Sequence, residues 1–104
     1  MLTLKRHRLV GADFQSAFEW YEDQHPGLGL EFAEDFRHLY RRLRQGPLFY
    51  SIRFANVRRL NLNRFPYGIF NVVKSEEIRV PAVLHASRDT EEKLAERRRT
   101  FGQF

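Results

Sequence analysis

The stretch VRRLNLNRFPYGIFNVV, residues 57–73, followed by IRVPAVLHASRD, residues 78–89, decides how this chain folds. Leu60 and Leu62 alternate with Arg59, Asn61 and Asn63, a two-residue period that sends apolar side chains to one face of a strand and polar ones to the other. Asn63, Arg64, Phe65 and Pro66 then turn the chain into a second strand, Tyr67 to Lys74. Ser75 and Glu76 predict the next turn, and Ile78, Val80, Ala82 and Leu84 alternate with Arg79, Pro81, Val83 and His85 in a third strand. Pro81 has no N–H to give to a ladder, so it requires an edge or a bulge. These readings make a three-stranded antiparallel meander.

Upstream the period changes to that of a helix. Phe14, Ala17, Phe18 and Tyr21 recur at steps of three and four, with Glu19, Glu22 and Asp23 on the other side, over residues 12–25. The segment HPGLG, residues 25–29, breaks this helix. Leu28, Phe32, Phe36, Leu39, Tyr40 and Leu43 restore the spacing up to about Gln45, where Gly46 and Pro47 stop it. A short break between two such helices predicts an antiparallel helical hairpin. Leu2 and Leu4 suggest an N-terminal strand, and Thr90 to Arg99 a short last helix capped by Asp89 or Thr90. The expected fold class is α+β: N-terminal strand, helical hairpin, meander completing one sheet, and C-terminal helix, in one domain over residues 1–104.

Composition agrees with one core and excludes several chemistries. The chain has 104 residues, 42% hydrophobic, and no cysteine, so disulfides, thiolate metal sites and cysteine nucleophiles are out, as suits a reducing cytoplasm. No apolar run approaches the length of a membrane span, and the basic N-terminus lacks the apolar stretch of a secretory signal, so a soluble cytoplasmic protein is expected. His7, His25, His38 and His85 are scattered without ligand spacing, and no phosphate loop, dinucleotide fingerprint or nucleophile elbow occurs, so neither metal nor cofactor is expected. Glu76 and Glu77 fit a solvated hairpin tip, and Trp20 beside Tyr21 reads as core or hairpin packing.

Charge divides the chain. The net is +5, and all basic residues except Lys5, Lys74 and Lys93 are Arg, whose planar fork suits phosphate and carboxylate. Residues 12–46 are net acidic, whereas residues 1–11 and 47–89 are basic. If the hairpin covers one face of the sheet, the strand arginines stand on the open face. Arg59 shares the parity of Asn61 and Asn63, and Arg79 that of His85. Arg58, Arg59, Arg64, Arg79, His85 and Arg88 are therefore the candidate surface for a phosphate or acidic partner. His85 beside Arg88 is also the pair best suited to acid–base work on a phosphodiester.

The strings at 57–73 and 78–89 resemble toxins of the RelE/ParE superfamily, the basic halves of bacterial type II toxin–antitoxin pairs, above all in the Arg64-Phe65-Pro66-Tyr67 turn and the His85-x-x-Arg88-Asp89 ending. The helical segment AFEWYEDQHPGLGLEFAEDF, residues 17–36, is similar to the long hairpin of the ParE-like branch. The likeness spans about residues 2–99 and implies a helical hairpin packed on an antiparallel sheet. It also implies a cognate antitoxin that wraps the toxin, and growth inhibition when the toxin is free.

Two branches imply two mechanisms. RelE-like toxins cut messenger RNA in the ribosomal A site, where a ribose 2′-hydroxyl attacks the adjacent phosphate with basic side chains assisting. Arg59 and Arg88 match basic positions of that branch, and His85 could serve as acid or base. Asn61, Gly68 and Leu94 stand where a second basic residue, an Arg and a Tyr are expected. ParE-like toxins share the longer helices, lack a common catalytic set, and include inhibitors of DNA gyrase. The resemblance therefore implies first a ParE-like toxin that binds gyrase. The second reading is a ribosome-dependent endonuclease using His85, Arg88 and Arg59, and the third a non-toxic protein of this fold that only binds antitoxin or nucleic acid.

Overall fold

The computed structural model describes residues 3–45, 52–54, 57–74, 77–86 and 90–101. Strand β1 (Thr3–Arg6) leads into helices α1 (Val10–Gln24) and α2 (Leu28–Gln45). Strands β2 (Ile52–Phe54), β3 (Val57–Asn61), β4 (Tyr67–Lys74) and β5 (Glu77–His85) follow, and helix α3 (Thr90–Phe101) comes last. The α+β order matches the expectation. The sheet has one strand more, because β2 is too short to carry an alternation signal. The helix stop at Gly46–Pro47, the turn at Ser75–Glu76, the cap at Asp89, and Leu2 lie outside the described residues.

The five strands run in the order β1-β5-β4-β3-β2. The meander β3-β4-β5 is antiparallel, and β1 joins its far edge parallel to β5, with Thr3 opposite Glu77 and Arg6 opposite Val80. The sheet is thus mixed. At Pro81 the requirement for an edge or a bulge is met by a bulge: Phe70 pairs with Ala82 but Val72 with Arg79, so β5 holds one residue more than β4 across Asn71.

The hairpin folds as its turn residues dictate. Gly27 has φ of 91°, a left-handed conformation that favours glycine. The Glu22 carboxylate reaches across the turn and accepts from the N–H of Gly27 at 2.8 Å and of Gly29 at 2.9 Å, neutralising orphan donors at the start of α2. The helices cross so closely at Gly29 that a Cβ there would stand 2.8 Å from the Phe18 carbonyl oxygen. One side of the hairpin, with Ala17, Tyr21, Phe32, Leu39 and Leu43 at its centre, packs on Leu60, Ile69, Ile78, Val80 and Val83 of the sheet. Burial of these side chains is the main stabilising term, at about 1.5–3 kcal/mol for each large one.

The opposite face is not open. Leu94, fully buried, and Phe101 of α3 pack on Val57, Phe70, Val72, Ala82 and Leu84, so the interior strands β4 and β5 are covered on both sides. This overturns the expectation of a solvated sheet face. Its cause is α3, whose highly charged sequence hides a single buried leucine. Two polar anchors hold the helix. Arg97 donates to both carboxylate oxygens of Asp13, at 2.7 and 2.8 Å, and to the Pro81 carbonyl at 3.0 Å. His7, buried, is 2.7 Å from the Thr100 hydroxyl and meets Phe101 edge-on.

Candidate functional site

The bulge at Pro81 redistributes the candidate residues. Because β5 gains a residue between Arg79 and Ala82, the shared parity expected for Arg79 and His85 is broken. Arg79 stands opposite Val72 on the α3 side, and His85 opposite Tyr67 on the hairpin side. Arg59 pairs with Phe70 and also belongs to the α3 side. Of the three candidate catalytic residues, Arg59 and His85 lie on opposite faces of the sheet, and Arg88 is outside the described residues.

Each strand arginine has a distinct setting. The Arg59 guanidinium lies over the Phe70 ring, 5.4 Å from its centroid, and its Nε donates to the Asn61 side chain at 2.5 Å. It fills the space left by Gly68, where a Cβ would come within 2.6 Å of that Nε. Arg58 faces the other way, beside the buried Asn71, whose amide donates to the Arg58 carbonyl at 3.3 Å. Arg79 donates to Glu77 at 2.7 Å. Arg64 pairs with Glu31 of α2, while Asp35 accepts from the Arg64 N–H at 3.1 Å, so the β3–β4 turn is tied to the acidic half of α2. The acids Glu31, Glu34 and Asp35 with His38, Asn63 and Arg64 line a hollow of about 290 Å³ there.

His85 belongs to a different cavity. Its exposed imidazole meets the Tyr67 ring edge-on at 5.2 Å, and both line a cleft of about 440 Å³ with Trp20, Tyr21 and Pro66. Trp20 is 57% exposed, so it is cleft wall and not the packing residue expected from its helix. The amphipathic pattern of α1 placed Tyr21 inside and Trp20 one step off the buried stripe. Burial raises the Tyr67 phenol above its ordinary range, assisted by the nearby Asp13 carboxylate, and burial likewise raises that of Tyr21. Both hydroxyls therefore keep their protons at neutral pH. An apolar, aromatic cleft with protonated phenols and one imidazole suits the side chains of a protein partner better than a phosphate.

Among the described residues no group of three or more His, Asp or Glu is placed to hold a metal ion, and no helix is long and apolar enough to cross a membrane. Sequence reasoning missed the groups that organise this region, Asp13, Arg97 and His7. Their partners are far away in the chain, and no local pattern marks them.

No family model and no curated protein matches the chain by sequence. Among solved structures it is similar to a chain of the "Chromosomal ParDE TA system from P. aeruginosa", with a TM-score of 0.72 and 26% identity. That match covers 82% of this chain and 96% of the other.

Proposed function

We infer, from the premise that this chain is a toxin of the ParE/RelE type, that it is the toxin half of a type II toxin–antitoxin pair and inhibits growth when free of its antitoxin by binding DNA gyrase. The observation that carries this reading is the likeness to the ParDE chain over 96% of that chain's length. Action by binding has support of its own. An acid–base ribonuclease needs a proton acceptor, a proton donor and cations converging on one phosphate. Here His85 and Arg59 occupy opposite faces of the sheet, and Arg59 is engaged by Asn61. The Trp20–Tyr67–His85 cleft, in contrast, has the aromatic character of a protein-recognition surface.

The antitoxin on this reading supplies an apolar, partly acidic segment, and free toxin engages gyrase. The test is induced expression without antitoxin, followed by parallel assays of DNA supercoiling and of translation. Growth arrest with loss of supercoiling by purified gyrase is the expected result. Unimpaired growth despite soluble protein, or unaltered gyrase activity, overturns it. Ribosome-dependent RNA cleavage abolished by His85→Ala would transfer the assignment to the nuclease branch.

A further inference from the structure

The charge of α2 changes sign along its length. Glu31, Glu34 and Asp35 occupy its first half, Arg37, Arg41, Arg42 and Arg44 its second, with no acid after Asp35. The segment total, net acidic, conceals this. Arg37, Arg41 and Arg44 follow one another at steps of four and three residues, so they share one helix face, and all three are exposed. Leu39 and Leu43 bury the opposite side in the core.

Strand β1 brings a fourth guanidinium to this face. Leu4 packs into the core beneath the hairpin, so Arg6, two residues on, points to the same side of the sheet. Arg6 is exposed, and its guanidinium, like that of Arg44, acts electrostatically on the Tyr40 phenol. Arg6, Arg44, Arg37 and Arg41 thus form a continuous cationic surface bordering Tyr40. Among the described residues none of the four forms an ion pair with a carboxylate.

Folding does not account for this arrangement. The helix dipole favours cations only in the last turn, which holds Arg42 and Arg44 but neither Arg37 nor Arg41. Like charges four residues apart, as Arg37 and Arg41 are, oppose the helix. The surface also lacks the apolar anchors of a protein interface: the large exposed hydrophobic residues among those described are Leu9, Trp20 and Leu30, none in the second half of α2. Unpaired, planar, bidentate donors in a row suit the repeating phosphates of a nucleic-acid backbone.

We propose that Arg6, Arg37, Arg41 and Arg44 form a binding surface for the phosphodiester backbone of nucleic acid. The surface is sequence-independent in its chemistry, since guanidinium–phosphate contacts carry no base information. It does not depend on the gyrase reading, and its test uses neither gyrase nor antitoxin.

The experiment measures fluorescence anisotropy of a short labelled DNA duplex and a short labelled single-stranded RNA, titrated with the full chain between about 50 and 200 mM salt. Wild-type protein is expected to bind at low salt and to release as salt rises. The double variant Arg37→Ala/Arg41→Ala should bind at least about tenfold more weakly at low salt, with the log–log salt slope reduced by about two. A control of equal charge change, Lys93→Ala/Arg99→Ala on α3, should stay within about twofold of wild type. Circular dichroism checks that both variants are folded. Which nucleic acid binds more tightly distinguishes a DNA from an RNA partner. Absence of wild-type binding, equal loss in the control, or displacement by polyglutamate as efficient as by nucleic acid overturns the proposal.

Discussion

Asp13 and Arg97, 84 residues apart in the chain, form a two-pronged ion pair that takes over the hydrogen bonding of β5 where β1 ends. Up to Val80, β5 is paired with β1 on that side, and the His7 N–H adds one more bond to the Val80 carbonyl at 2.9 Å. Beyond it, Asp13 accepts from the Val83 N–H at 3.1 Å and Arg97 donates to the Pro81 carbonyl at 3.0 Å. One pair of side chains thus completes a strand edge and joins α1, β5 and α3.

Breaking that pair from one side leaves the other charge nearly buried, since the two side chains are only 13% and 11% exposed. Arg97→Ala should therefore destabilise the fold by about 3–5 kcal/mol in urea unfolding at neutral pH. Asp13→Ala should cost a similar amount, because it also orphans the Val83 N–H. The double variant should lose less than the sum of the two, and strict additivity would refute the coupling.

The His7 imidazole gives the α3 anchor a pH dependence. Its Nδ1 accepts from the Leu9 N–H at 3.0 Å, so the proton sits on Nε2, which donates to the Thr100 hydroxyl. Burial, then the charges of Arg97 and Arg8, lowers its pKa from 6.5. The unfolded chain therefore takes up a proton that the folded chain resists. The contribution is complete above pH 6.5 and is lost as pH falls from there through the lowered native value. Thermal unfolding from pH 8 to about 5 should show Tm falling on the acid side, and His7→Gln should flatten that fall.

Two helical glycines should respond in opposite directions to alanine. Gly29 lies at the α1–α2 crossing, and a methyl group there would push on the backbone carbonyl of Phe18. Gly29→Ala should cost about 1–3 kcal/mol. Gly11 has open space around it, so Gly11→Ala should stabilise α1 by about 0.5–1 kcal/mol. Denaturant midpoints of the two variants check both signs.

The cap across the hairpin turn is equally accessible. Glu22→Ala removes both acceptors from the N–H groups of Gly27 and Gly29 and should cost about 1–2 kcal/mol, whereas the neighbouring exposed Asp23→Ala should stay within about 0.5 kcal/mol. Equal effects at the two positions would remove the capping role from Glu22.

What could be read in advance follows from how local the signal is. The alternation of Leu60 and Leu62, the breaks at HPGLG and the stripe from Phe32 to Leu43 depend on neighbours within a turn or a strand, and the elements they predicted are present. Pro81 announced an edge or a bulge, because a missing N–H is a property of the residue itself. The bulge's effect on His85 was hidden, since the extra residue inverts parity only when the partner strand is known. α3 was legible as a short helix, but its docking on the sheet was not, because one leucine and one ring supply its apolar contact and its hold comes from Arg97 and Thr100 meeting Asp13 and His7. The candidate site suffered most, for a cleft assembled from Trp20, Pro66 and His85 exists only after the hairpin has docked.

The parallel pairing of β1 with β5 has a consequence for when the protein can assume its shape. Thr3 finds its place beside Glu77, and the edge beyond is closed by Arg97 together with Asp13. A chain emerging during synthesis can form the helical hairpin early, but its first strand has no neighbour until the last strand appears. The native sheet is therefore closed late in translation, after β5 and α3 have both emerged to receive β1 and seal its neighbour's edge.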